Sequence, residues 1–498
     1  MIRRFGLFGA VLLVLAIVYV AAWRTQPGTS QAARQSAAQS VPVTSVTRSC
    51  PPAATGTGAA HIAMIALPSQ AAAARAGTAG PGSATLSSMP VTPPAAKQPA
   101  AKQPAVAPQP VTVSAAGAPA TVTAPGTQGA AGQGGTAVAA TGRMAEGFEA
   151  ELADASGTGL VSCTYPGSDM WFVGTGAAAG ASRITLYLVN SGNMPASANV
   201  TILTDAGLQT GPATGITVAP HRSVTQSISP FVRGSAALGL HVQTSSGQVA
   251  ASVREDGASG GVWLPQAAAP STSLVIPGLT VASSAARLFV TVPGGNDARL
   301  KVTAFTAQGK FRQFGSVALD VPSAATSSFA LSSLGASAAG LQLTSNVPVV
   351  AAVQIPGQGF GSFTTAVPPV TEQGVVAGNP ATRGLTVGLL LTAPAAAASA
   401  SISVIGPAST AGAGGQQAVT VPAGHTLAVT VARPQAGRQP FAVVITPAAG
   451  SGPLYAARVV TMGNGGLSAP VASVLPVPNA LTMISLPPVQ SAYTAVLP

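Results

Sequence analysis

The residues able to do chemistry are few in this chain, because charged residues make up only 7% of its 498 positions. Two cysteines, Cys50 and Cys163, could form a disulfide in an oxidising compartment or stand as separate buried thiols. Closing so long a loop would be worth roughly 4–5 kcal/mol by chain entropy. Glu146, Glu149, Glu151 and Asp154 form the one dense group of acids. They lack the alternating carboxylate and glycine spacing of a calcium loop, so they read as solvated acids. His61, His221, His241 and His425 do not fall at the i, i+3 or i+4 spacing that metal motifs use. No G-x-S-x-G elbow, phosphate-binding loop or dinucleotide fingerprint occurs. The expectation is therefore no catalytic residue, no metal ligand and no cofactor.

Two groups read as contact surfaces. Arg299, Lys301, Lys310 and Arg312 fall on one expected hairpin with Phe305, Phe311 and Phe314 nearby. Such a cationic and aromatic strip could grip an anionic polymer, or serve simply as a charged hairpin edge. Tyr165, Trp171 and Phe172 cluster in "VSCTYPGSDMWFVGTG", in a chain where aromatics are 4% of residues. They read as a structural seam beside Cys163. Dilute positive charge without a basic run argues against a nucleic-acid partner.

The elements that must position these groups start at the N-terminus. Phe5 to Trp23 carries no charge and follows Arg3 and Arg4. It is long enough to span a bilayer as a helix with the arginines in the cytoplasm. The expectation is a single-pass signal anchor over 1–24 with the rest extracytoplasmic; the alternative is secretion after signal cleavage. Residues 25–40 read as a stalk. Residues 41–169 read as a β unit holding both cysteines. Within it 69–142 is rich in Ala and Pro, includes "AAKQP" twice, and reads as a disordered insertion.

From Met170 the chain repeats. An apolar strand ending in glycine ("MWFVG", "LVIPG", "GVVAG") is followed by a second apolar strand. A strand–Pro–strand signal then centres on Pro220, Pro322 and Pro422, 102 and 100 residues apart. Period-two alternation and turn signals such as "TDAG" and "AQGK" give about seven short strands per unit. The expected fold is all-β: an N-terminal transmembrane helix followed by tandem immunoglobulin-like antiparallel β-sandwich repeats over 170–273, 274–373 and 374–498, the last with a C-terminal closing strand. A β-propeller is the alternative, each unit then giving two blades.

"SVTRSCPPA", "GLVSCTYPGSDMWFVG", "ITLYLVNSGNMPASANVTILTDAG" and "GITVAPHRSVTQSI" together resemble the actinobacterial DUF5719 family of uncharacterised extracytoplasmic proteins. The repeat is similar to surface modules of W-[YF]-x-x-G type at Trp171, Phe172 and Gly174, with the turn motifs at Asn190–Gly192, Val218–Pro220 and Val421–Gly424. Units two and three lack the aromatic opening. The resemblance brings no activity. The expected function is a non-enzymatic, membrane-anchored scaffold of the cell envelope, a rod of sandwiches contacting an envelope protein or wall glycan. The alternative is an accessory subunit of a membrane glycosyltransferase or envelope-biosynthesis system.

Overall fold

The computed structural model describes residues 14–17, 19–20, 39–54, 59–68, 82–92, 113, 116–124, 134–209, 214–280, 285–313, 318–331, 338–357, 359–407, 415–434, 439–463 and 465–486. Most of the expected membrane span and of the stalk lie outside these residues; the last two stalk residues, Gln39 and Ser40, are in a strand. Residues 14–17 and 19–20 are helical. Among the described residues no helix is long and apolar enough to cross a membrane. Two compact units are present. One contains a two-stranded antiparallel ribbon, Gln39–Pro42 against Met483–Leu486. The other, Val43–Thr482, holds every other strand.

The fold is all-β. Its plan is clearest in residues 169–264. One sheet orders Gly207–Gln209, Ala196–Thr204, Ala237–Ser246 and Asp169–Thr175, with Ile216–Val218 also on Ala196–Thr204. The second orders Arg222–Ser227, Arg183–Asn190, Ala250–Gly257 and Gly260–Leu264. Each sheet draws neighbouring strands from separate parts of the chain: Asp169–Thr175 lies beside Ala237–Ser246 in one, and Arg183–Asn190 beside Ala250–Gly257 in the other. Propeller blades, in contrast, are each wound from successive strands. Both sheets bury their facing residues in one core that includes Phe172, Ile184, Leu186, Ile202, Leu240 and Val253.

The same pairing pattern recurs over 271–365. There the strand Ala339–Ile355 runs on through both sheets, pairing Ser271–Leu279 and Ala298–Thr306 with its first half and Arg287–Val292 and Ser362–Thr365 with its second. It recurs over 374–476, where Phe441–Pro447 and Tyr455–Met462 take those two roles. It also occurs in the N-terminal unit. Gly135–Thr141 there pairs with Ser45–Cys50 and Ala84–Met89. His61–Ile65 pairs with Ala120–Thr123 and Glu149–Ala153, and the latter with Leu160–Ser162. The unit is thus a first copy and the three others are copies two to four.

This corrects the reading of 69–142 as a disordered insertion. Ala84–Met89, Ala120–Thr123 and Gly135–Thr141 are strands within it, and Leu86, Val138 and Ala140 are core residues. Short strands of Ala, Ser and Thr carry little hydrophobic signal, so composition hid them. The bridge between Ala84 and Val113 matches the pairs Ala196–Val218, Ala298–Val321 and Ala398–Val421 in later copies. Residues 69–81, 93–112 and 125–133 lie outside the described set.

The turn after those valines explains the recurring Pro-containing motif. His221 and Ala324 have φ of 54° and 51°, and Gly424 and Gly117 have 77° and 87°. Each copy therefore turns through a left-handed residue, a conformation that costs a β-carbon energy and that glycine adopts freely. The backbone N–H groups of Gly117, Ala324 and Gly424 donate to Ala66, Gly294 and Ala393.

The copies are not a linear rod. Copy two's core continues into Phe289 and Phe363 of copy three. Copy three's continues into Leu390 and Val459 of copy four. Copy four's takes in Leu160 of copy one, and copy one's takes in Trp263 of copy two. The circuit closes. Each copy offers the same face to the next, the head-to-tail arrangement that produces a ring when its rotation closes. One seam device repeats: Ser223 donates to the carbonyl of Met89 (2.6 Å), and Thr326 donates to that of Leu203 (3.0 Å). Gly239 and Gly340 lie at equivalent places, where a β-carbon would collide with Thr291 and Thr392 of the following copy. Double coverage also explains near-continuous burial in strands such as Leu385–Ala393.

Residues 477–482 complete the closure. Val375 donates to Pro478, Ala480 to Gln373, Gly147 to Leu481 and Val43 to Thr482. This segment thus touches both the last copy and the first, while the expected C-terminal closing strand, Met483–Leu486, pairs with Gln39–Pro42 instead.

Candidate functional site

Residues of all four copies line a half-open cavity of about 1440 Å³. They come mainly from the turn that links each copy's last two strands: 154–160, 256–261, 359–362 and 462–463. These turns are rich in Gly, Ser and Thr because tight hairpins need left-handed residues and local hydroxyl acceptors. Gly157, Gly260, Gly359 and Gly463 have φ of 72°, 128°, 68° and 103°. In the first turn Asp154 accepts from Ser156 Oγ (2.6 Å) and the Thr158 N–H (3.2 Å).

Copy two supplies most of the charge. Arg183 and Arg254 flank Asp256, each donating from Nε, at 3.2 Å and 2.8 Å. Arg254 also lies 5.3 Å from the Trp263 ring centroid, and Tyr187 meets that ring at 5.5 Å. Burial raises the Tyr187 hydroxyl pKa. Gly261 lets Arg254 lie flat there, since a β-carbon would come 2.5 Å from its Nη2. Arg383 of copy four lines another wall. Such a wall can bind polar or anionic groups. Neither aspartate has a histidine in hydrogen-bond contact, and among the described residues no three His, Cys, Asp or Glu side chains are placed to hold a metal ion.

Of the four acids expected to be solvated, Glu146, Glu149 and Glu151 are buried instead, while Asp154 is half-exposed. Arg48 pairs with Glu149 in the first copy, with both side chains almost fully enclosed. Burial pushes the Glu149 carboxyl up to about 8, against the pull of Arg48. Glu151 accepts from Arg458 Nη1 (3.0 Å) and the Gly378 N–H (2.8 Å), joining copy one to copy four. The partners lie 101 and 307 residues away, so no local pattern could reveal them. Glu255 is fully buried too. It accepts from the Thr175 N–H (2.9 Å) and Oγ1 (2.5 Å), and burial pushes it up to about 8. No ion pair neutralises it among the described residues. No local pattern marks Arg48, Arg458 or Glu255.

Cys50 and Cys163 form a disulfide, buried in the first copy's core. It ties that copy's first strand to the segment leaving its last one. The aromatic seam divides into two environments. Tyr165 lies under Arg48, 3.3 Å from ring centroid to guanidinium carbon, and burial pushes its pKa up to about 12. Trp171 stacks on His241 at 3.9 Å, and His241 contacts Asp169 at 3.0 Å. Phe172 is in the core of copy two. His221 and His425 stand at the turns described above, His221 contacting Asn193.

The cationic strip lies away from the cavity. Arg299, Lys301, Lys310 and Arg312 are all exposed, and Lys310 and Arg312 stand opposite Phe305 and Thr303. Arg299 already pairs with Asp320 at 3.2 Å. Phe305 is buried, Phe311 is partly exposed, and Phe314 lies outside the described residues.

With this geometry in hand, the chain can be compared with known proteins. A family of unknown function, DUF5719, matches residues 130–432, more than half of the chain. The chain belongs to this family. The DUF5719 match starts before Gly135–Thr141 and ends after His425–Thr430, so it includes three of the four cavity turns. No curated protein matches. Among solved structures, a crystal structure of Bacteroides uniformis beta-glucuronidase is similar at 11% identity over 43% of this chain and 27% of that one, with a TM-score of 0.10. That likeness is too slight to carry an argument.

Proposed function

We propose that this DUF5719 protein is a non-enzymatic, membrane-anchored extracytoplasmic protein of the cell envelope that binds an envelope protein or wall glycan. Its copies are read as immunoglobulin-like sandwiches. The observation that carries the reading is the cavity lined by corresponding turns of all four copies. Its two aspartates are engaged by neighbouring donors rather than set against a nucleophile or base. Support for the location comes from the buried Cys50–Cys163 disulfide, which suits an oxidising compartment. The uncharged stretch after Arg3 and Arg4 supports the anchor.

Affinity capture with the full chain from crosslinked cells tests the proposal. Enrichment of one envelope protein or glycan over a mock capture is expected. An empty capture overturns it. Loss of a cellular enzymatic activity in Asp256→Asn, with folding intact, would replace binding by catalysis.

A further inference from the structure

We infer that the cavity takes an acidic oligosaccharide whose carboxylates are spaced along the chain, a reading that rests on the binding role proposed above. Size is the first argument. At about 1440 Å³ the space exceeds the roughly 300–1,000 Å³ usual for small-molecule sites. A ligand of several linked units is needed to fill it.

The wall chemistry is the second. Hairpin turns expose glycine backbone and the hydroxyls of Ser156, Thr158 and Ser259. These groups donate and accept, as a polyol ligand requires. Tyr187, half-buried beside Trp263, adds an aromatic surface.

Charge is the third and decides between neutral and acidic sugars. Three arginines, Arg183, Arg254 and Arg383, stand against Asp154 and Asp256. Asp154 is occupied by its own turn. Asp256 holds Arg183 and Arg254 through Nε alone. Among the described residues their terminal Nη groups have no protein acceptor, and Arg383 has no acid partner. Guanidinium groups fixed in this way present planar forks suited to carboxylates. Arg183 and Arg254 stand together at Asp256 in copy two and Arg383 comes from copy four, so two cationic sites on two copies line the cavity. Two linked carboxylates match such sites better than one concentrated anion.

The test uses the full chain in detergent, titrated with a hyaluronan hexasaccharide, with chitohexaose as a neutral counterpart, and with inorganic phosphate. Calorimetry and tryptophan emission are read together. Hyaluronan should bind at least tenfold more tightly than chitohexaose, and phosphate should not displace it at equal concentration. Arg183→Gln combined with Arg383→Gln, both exposed positions, should reduce hyaluronan binding at least tenfold, to the level of chitohexaose. Equal binding of the two sugars, displacement by phosphate, or an unaffected double variant overturns the inference. So does absence of binding by either sugar. If the sugars fail while envelope capture succeeds, only this inference falls. If capture is empty while hyaluronan binds, the envelope-partner reading falls and this one stands.

Discussion

Copy one and copy three share a strand plan but are held together differently. Copy three has the larger core, in which Leu, Ile and Val outnumber Ala by more than two to one around one uninterrupted 17-residue strand, Ala339–Ile355. Copy one fills much of its core with alanine, including Ala60, Ala66, Ala84, Ala140 and Ala150. Each missing methylene removes about 0.8 kcal/mol of burial. Copy one instead carries the disulfide and the buried partners Arg48, Glu149 and Glu151. It is also where the circuit closes, with Arg458 arriving from copy four. The comparison teaches that one topology can rest on side-chain volume in one place and on specific links in another. Specific links depend on single residues, so copy one should be the easier to break.

The largest expected effect comes from Cys50→Ser with Cys163→Ser. Removing the link should cost about 4–5 kcal/mol by chain entropy, which raises amide exchange in Ser45–Cys50 by about a thousandfold. Exchange in Arg287–Val292 of copy three should stay unchanged. Equal acceleration in both copies would falsify the division. Next is Arg458→Met, which leaves Glu151 buried without its cation and should cost about 3–5 kcal/mol in chemical denaturation. Adding Glu151→Gln should recover most of that loss. A double variant as unstable as the single would mean the pair does not fasten the closure.

Glu255 in copy two provides a pH test. Its folded carboxyl keeps a proton to about 8 while an unfolded one releases it near 4.5. The folded state therefore binds more protons between these values. The associated stability is fully present below 4.5 and is lost as pH rises through 8. Glu255→Gln should lower the slope of stability against pH in that window by up to about 1.4 kcal/mol per unit. Glu149, raised to the same value in copy one, contributes to the remaining slope. An unchanged slope in the variant would remove Glu255 from this role.

Two smaller effects probe the seams and turns. Gly239→Ala places a methyl against Thr291 and Thr326 of copy three. Overpacking there should cost about 1–3 kcal/mol, read from the denaturation midpoint. Ala324→Gly relieves a left-handed β-carbon at φ 51° and should stabilise by up to about 1 kcal/mol, shifting the melting temperature upward. A loss instead would show that Ala324 contributes packing that outweighs its strain.

The amino-acid pattern by itself determined the β class, because alternation in strands such as Ala298–Thr306 is a property of neighbours along the chain. It determined the repeating turn, whose proline and left-handed residue act over four positions. It also supplied the cysteine pair, since only two cysteines exist. The β unit over 41–169 was legible, but its likeness to the other three copies stayed hidden because Ala84–Met89 and Gly135–Thr141 are too poor in large apolar residues to be distinguished from the Ala/Pro-rich sequence around them. The cavity was hidden for a different reason. Its four turns lie about a hundred residues apart, and nothing local states that they converge. Only the tertiary structure decided that the copies close on themselves, that Glu149 and Glu151 meet arginines rather than water, and that Arg183 and Arg254 meet at Asp256. Packing and charge pairing act through space, between residues whose separation in sequence carries no record of the contact.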